Sequence, residues 1–148
     1  MIATEKKKVV IGGTFDLIHQ GHQALLKRSF KLGKVTIGLT SDAMARRTRK
    51  RKIRSFRQRK KDLQFFIRKE FGAKAKIIKI EDKFGPTLKE DFDYIVVSPA
   101  TYPAAALINR KRREGKRKPI EIIRIKFVLG KDKKPLSSSN ILKELNQK

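Results

Sequence analysis

Cysteine is absent from the 148 residues. The chain therefore has no disulfide framework, no thiolate metal site and no cysteine nucleophile. Long apolar runs are missing too: no stretch approaches the roughly 18 residues of a membrane span. The basic N-terminal stretch, Met1 to Lys8, is followed by only Val9, Val10 and Ile11 before glycine, so no signal peptide is expected there. Acidic residues are scarce. Fourteen of them face 39 lysines and arginines, which leaves a formal net charge of +25. A field of that sign attracts polyanions: nucleic acid, membrane surfaces, nucleotides, phosphorylated small molecules. Charge does not choose among these, and a lysine- and arginine-rich chain also suits a heat- or salt-adapted proteome. An anionic ligand is the expectation, in a cytoplasmic enzyme or binding module.

What is present is enough for one core. Hydrophobic residues make up 39% of the chain, too many for a disordered composition. Short apolar runs alternate with helical patterns. Val9 to Ile11 read as a buried strand stopped by Gly12 and Gly13, and residues 20–32 as a helix closed by Gly33. Further strands are predicted over 34–40, 75–80, 93–99 and 120–127. Helices are predicted over 56–70, 102–113 and 137–145, with a short one that Asp42 would N-cap. Ser55 with Gln58, and Thr87 with Glu90, have capping-box spacing. Strands separated by helices argue for a five-stranded parallel sheet covered on both faces, an α/β chain forming one domain over 1–148.

In such a sheet, ligands bind at the carboxyl ends of the strands. The first such loop reads GGTFDLIHQGH, residues 12–22, and holds both histidines of the chain. Glycines let the backbone approach a phosphate, and a helix start favours anions. Neither a GxxxxGK loop nor a GxGxxG fingerprint occurs. His19 and His22 admit three readings: helix-start residues with satisfied ring nitrogens, metal ligands, or an imidazole pair facing phosphate oxygens. Two histidines without cysteine leave zinc short of ligands. An imidazole pair can stabilise charge in a phosphoryl-transfer transition state. Asp16, with no carboxylate nearby in sequence, reads as a loop-ordering residue making Asx-type hydrogen bonds.

Residues 46–61, RRTRKRKIRSFRQRKK, contain eleven lysines and arginines in sixteen positions and no acid. The block reads as a solvated charged loop, as a phosphate clamp, or as a nucleic-acid surface. Interleaved aromatics for base stacking are lacking, so nucleic acid is expected to bind only non-specifically, through charge.

The loop GGTFDLIHQGH resembles the GTFDxxHxGH signature of the HxGH nucleotidyltransferase superfamily. LSSSNILKE (136–144) resembles its second signature, ISSTxIR. IGLTSDAMARR (37–47), FGPTLKEDFDYIVVSP (84–99) and VVSPATYPAAALIN (96–109) are similar to archaeal-type phosphopantetheine adenylyltransferases. The resemblance spans nearly the whole chain and implies a Rossmann-like fold. It implies transfer of AMP from ATP to 4′-phosphopantetheine, with Mg²⁺ as cofactor and no metal held by protein ligands. By the same resemblance, Thr14 orients the attacking phosphate, and backbone groups of Gly13, Thr14 and Phe15 approach the nucleotide. His19 and Gly21 hold its phosphates, and His22 meets the charge on phosphorus. Ser137, Ser138 and Ser139 cradle the β- and γ-phosphates. Thr40 and Ser98, at strand ends, join Thr14 in binding the acceptor. The second signature departs from the family pattern: Leu142 stands where a cation is common, with Asn140 before it. A phosphate-binding cation would come from Lys143 or from Arg46, Arg47, Arg49, Lys50 or Lys52. The first signature is shared with cytidylyltransferases and FAD synthetases, and the charge alone would also suit a non-catalytic nucleic-acid-binding module on the same fold.

Overall fold

A computed structural model describes residues 6–48 and 52–126. Strand β1, Lys7–Gly13, runs through the middle of a five-stranded sheet. Helix α1, Gln20–Leu32, leads directly into β2, Gly33–Thr40. Then come α2 (Asp42–Thr48), α3 (Phe56–Phe71), β3 (Lys76–Ile80), β4 (Tyr94–Val97), α4 (Tyr102–Glu114) and β5 (Glu121–Arg124). The strand order is β3-β2-β1-β4-β5, and every pairing is parallel. The order reverses between β1 and β4, which opens a crevice at their carboxyl ends. The α/β Rossmann-like expectation holds, with helices on both faces.

Side-chain alternation along the strands divides the core in two. Val9, Ile11 and Val96 point to one face, where Leu26 of α1 and Leu63 and Ile67 of α3 cover them. Val10, Ile95 and Val97 point to the other, against Ala105 and Ile108 of α4. Each fully buried aliphatic side chain contributes about 1.5–3 kcal/mol. Two polar groups are buried with α4, and both are hydrogen-bonded. Asn109 exchanges two 2.8 Å hydrogen bonds with the Ile120 backbone. The Arg112 guanidinium donates to the carbonyls of Thr87, Glu90 and Lys118 and to Asp91.

Four local expectations change. Gly33 does not end α1 in a left-handed conformation; its φ of 163° is extended. Its need for glycine is spatial, because a Cβ there would lie 2.2 Å from the Lys7 carbonyl oxygen. Asp42 is the first residue of α2 rather than its cap. Ser41 caps the helix, its Oγ accepting the Met44 N–H at 3.1 Å. At α3 only half of the capping box forms: Ser55 accepts from Gln58 N–H, while the Gln58 side chain donates to Asp62. No helix follows Thr87, whose hydroxyl donates backward to the Phe84 carbonyl instead of accepting from the chain ahead. The predicted helix over 137–145 lies outside the described residues.

Candidate active site

The loop after β1 turns sharply at Phe15, a non-glycine residue held at φ 48°. That left-handed conformation is unfavourable for an L-residue, so the surroundings must enforce it. The Phe15 ring is buried, with 1% of its surface exposed. It lies 4.7 Å from the His22 ring, centroid to centroid. A Cβ on Gly13 would come within 2.9 Å of the same ring. Gly13 is therefore small first of all to admit Phe15.

His19 and His22 begin α1 as a reciprocal capping box. His19 Nδ1 accepts from the Gly21 N–H at 3.0 Å and the His22 N–H at 3.4 Å. His22 Nδ1 accepts in turn from the His19 N–H at 3.4 Å. The rings stack, 3.8 Å apart and 21° from parallel. An Nδ1 that accepts forces the proton of a neutral imidazole onto Nε2. The helix-start reading of this pair holds, with the inner nitrogens capping the helix, and in the neutral form the outer nitrogens carry the protons. The Gly21 and His22 amides go to His19, so this helix start presents imidazole N–H groups where bare backbone donors were expected.

Thr14 is buried at the end of β1, beside Thr40 at the end of β2. The Thr40 hydroxyl donates to Thr14 Oγ1 at 3.0 Å. Under both lies Arg59, whose side chain has no exposed surface. Its guanidinium donates to the Thr14 carbonyl at 3.0 Å, Thr40 Oγ1 at 3.2 Å, Asp42 Oδ1 at 3.1 Å and the Arg54 carbonyl at 2.8 Å. Asp16, also buried, accepts from the Arg54 backbone and from its Nε, each at 3.1 Å. These bonds tie the loop to a partner 38 residues away, where local Asx-type bonds were expected.

Arg54 binds Asp62 as well. Burial disfavours the Arg54 cation, but the hydrogen bonds to Asp62 and Asp16 outweigh this and hold its pKa above the usual arginine range. The Asp62 carboxyl is held below its usual range, chiefly by the hydrogen bond from Arg54 and against some burial.

Across the crevice, Ser98 follows β4. Its N–H donates to Thr101 Oγ1 at 3.0 Å, and its carbonyl accepts from Tyr102 N–H at 2.9 Å, which starts α4. The pairing of β1 with β4 puts Thr14 and Ser98 at the ends of adjacent strands. Thr14 is joined to Thr40, and His19 to His22, with the ring of Phe15, next to Thr14 in sequence, packed against His22. Ser98 stands apart, with no hydrogen bond to them among the described residues. Ser137, Ser138 and Ser139 lie outside the described residues, as do Lys143, Arg49 and Lys50. Arg46, Arg47 and Lys52 are exposed, and Arg47 donates to the Glu81 carbonyl.

A family model described as cytidylyltransferase-like matches residues 10–144. Phosphopantetheine adenylyltransferase of Archaeoglobus fulgidus is 44% identical over 137 residues, covering 90% of this chain and 91% of the relative. That of Methanopyrus kandleri is 41% identical and covers 95% and 92%. The chain belongs to this family of nucleotidyltransferases.

A crystal structure of a protein of unknown function from Archaeoglobus fulgidus superposes with a TM-score of 0.77 at 41% identity, over 80% of this chain and 88% of that one. A lipopolysaccharide core biosynthesis protein from Thermoplasma volcanium, 24% identical, shares the fold with a TM-score of 0.64, over 80% of this chain and 95% of that one. In this adenylyltransferase homologue no helix of the described residues is long and apolar enough to cross a membrane. Nor do the described residues bring together three or more His, Asp or Glu side chains that could hold a metal. The carboxylates nearest the site, Asp16 and Asp42, are engaged by Arg54 and Arg59. These residues do not fit a resident Mg²⁺.

Sequence reasoning missed Arg59 and the partners of Arg54, because the basic block was weighed as a unit. Spacing carried the signal. Arg59 lies four residues before Leu63 and eight before Ile67, which places it on the buried face of α3.

Proposed function

We propose that this protein is a phosphopantetheine adenylyltransferase. The observation that carries the reading is the buried Thr14 at the carboxyl end of β1, followed by Phe15 packed on the stacked His19–His22 pair, in a chain 44% identical to an archaeal enzyme of that name. A phosphate oxygen of 4′-phosphopantetheine attacks the α-phosphorus of ATP. The new P–O bond forms as the bond to the α,β-bridging oxygen breaks, and pyrophosphate leaves in line. No group on the protein is covalently modified, so its task is positioning and charge stabilisation.

Each residue has a part in this. Thr14 donates to the attacking phosphate. His22 Nε2–H donates to the α-phosphate oxygens, where charge builds, and His19 Nε2–H to the neighbouring phosphate. Ser98 and Thr40 bound the acceptor from opposite sides of the crevice, and Ser137 to Ser139 take the β- and γ-phosphates. Mg²⁺ enters as part of the substrate MgATP, held by phosphate oxygens and water, as this ion often is. ATP as substrate favours a cytoplasmic location.

The test is direct. Recombinant protein with MgATP and 4′-phosphopantetheine should yield dephospho-CoA and pyrophosphate in equal amounts, followed by chromatography and a pyrophosphate-coupled assay. CTP in place of ATP, and FMN in place of 4′-phosphopantetheine, should give little product. Folded protein that releases no pyrophosphate with the cognate pair, or prefers CTP or FMN, would overturn the reading.

A further inference from the structure

The geometry points to Arg59 and Thr40 as a directional relay that fixes the Thr14 hydroxyl as a hydrogen-bond donor to the incoming phosphate. This inference rests on the adenylyltransferase reading for the identity of that phosphate. Arg59 is a positioning residue here, acting through Thr40 and Thr14.

The argument turns on which group carries which proton. A guanidinium has only donors. The contact from Arg59 Nη1 to Thr40 Oγ1, 3.2 Å, therefore makes the Thr40 oxygen an acceptor. The proton of Thr40 goes to Thr14 Oγ1, 3.0 Å away. Thr14 Oγ1 is thus an acceptor on its inner side, and its own proton is directed to an acceptor that the described residues do not supply. An anion in the crevice supplies one. The same Arg59 Nη1 donates to the Thr14 carbonyl, so one nitrogen holds both the backbone and the hydroxyl chain of this residue in register. Asp42 and the Arg54 carbonyl take the remaining contacts of the fork and fix its plane.

Burial gives the arrangement its force. The Arg59 side chain is fully buried, and Thr14 and Thr40 are 5% and 6% exposed. Water does not compete for these hydrogen bonds, and bonds in sequence polarise one another in a low dielectric. A positive charge at the inner end of the chain strengthens the donor at its outer end. A lone threonine on a loop would offer its proton in any of three rotamers. Here the relay selects the proton position before the phosphate arrives, which is preorganisation at a single hydroxyl.

The relay makes a prediction that a structural role for these residues does not. Thr40→Val keeps the shape and removes the hydroxyl. It should lower kcat about tenfold and leave the KM for ATP within about twofold, while Thr40→Ser restores most of the rate. The decisive measurement is a double-mutant cycle. Thr40→Val or Arg59→Lys should reduce kcat on the native background and change it little on a Thr14→Val background, since no hydroxyl remains to be aimed. Losses that multiply on the Thr14→Val background would overturn the relay and leave only general damage or direct contact with substrate. A kcat for Thr40→Val within twofold of the unmutated protein would overturn it as well.

Binding of inorganic phosphate, measured by calorimetry on the same set, reads the relay without turnover. Weaker phosphate binding in Thr40→Val, with no loss in the double variant beyond that of Thr14→Val alone, supports it even if no dephospho-CoA forms. That result would sink the adenylyltransferase reading alone. Should Arg59→Lys fail to fold, the Thr14 and Thr40 variants decide the matter by themselves.

Discussion

Each histidine of the first signature caps α1 through its inner ring nitrogen and, in the proposed reaction, donates through its outer one, and the two kinds of work can be separated by substitution. His22→Ala removes the outer donor and the inner cap acceptor together. It should lower kcat about 100-fold or more, on the scale of one preorganised donor. Stability should fall by about 1 kcal/mol, as for a lost helix cap, measured by urea unfolding. His19→Asn is the more discriminating variant, because asparagine is a favoured N-cap. It should unfold at nearly the native urea concentration yet bind ATP more weakly, by calorimetry. Nativelike ATP affinity in that variant would confine His19 to capping. The spelling GTFDLIHQGH was readable as a family signature. The capping box made of two imidazoles was not, because capping-box patterns are learned from serine, threonine and glutamate. The positive φ of Phe15 was equally hidden, since nothing in its own chemistry favours it.

The elements were legible where a period and a stop signal coincided. Helices α1, α3 and α4 fall within about a residue of their expected ranges, each with an apolar face at helical spacing and a glycine just beyond its end. Strand β4 ends earlier than its apolar run because pairing with β1 and β5 sets its length, and neighbours are not written in the segment itself. Arg59 was lost for the opposite reason: its local context is loudly polar, and only the stripe of Leu63 and Ile67 reveals that it turns inward. The junction of α1 with β2 yields a prediction of its own. Gly33→Ala must push a Cβ against the Lys7 carbonyl, 2.2 Å away, and backbone cannot yield as a side-chain tip does. The substitution should destabilise by about 2 kcal/mol or more, read from the denaturant midpoint. Gly72→Ala, where a Cβ meets nothing within 4 Å but φ is 58°, should lose only about 1 kcal/mol. Equal losses at the two sites would refute the packing argument.

For the whole molecule, an excess of positive charge governs the response to pH and salt. Asp62 and Asp91 are both held below the ordinary carboxylate range, first by hydrogen bonds from Arg54 and Arg112 respectively, with some opposing burial. A carboxylate whose folded pKa is depressed stabilises the fold above its unfolded value. That stability is lost as pH falls through the lower, folded value. The melting temperature should therefore hold steady above about pH 5 and drop on acidification below about pH 4. Asp62→Asn combined with Asp91→Asn should flatten that acid limb. An unchanged limb would mean that other carboxylates control it. Both aspartates are exposed enough for salt to weaken the effect.

The ion pairs described above share a chemical trait: Arg54, Arg59 and Arg112 supply their cations, and lysine supplies none. The buried cations among the described residues are therefore guanidinium alone, Arg59 and Arg112, while the outer coat mixes lysine with the remaining arginines. Acetic anhydride modifies amines and spares arginine. Exhaustive acetylation should strip the protein of most of its attraction for RNA or heparin while leaving its thermal unfolding cooperative. The charge that draws polyanions could then be erased by a reagent, on a molecule whose internal wiring never meets it.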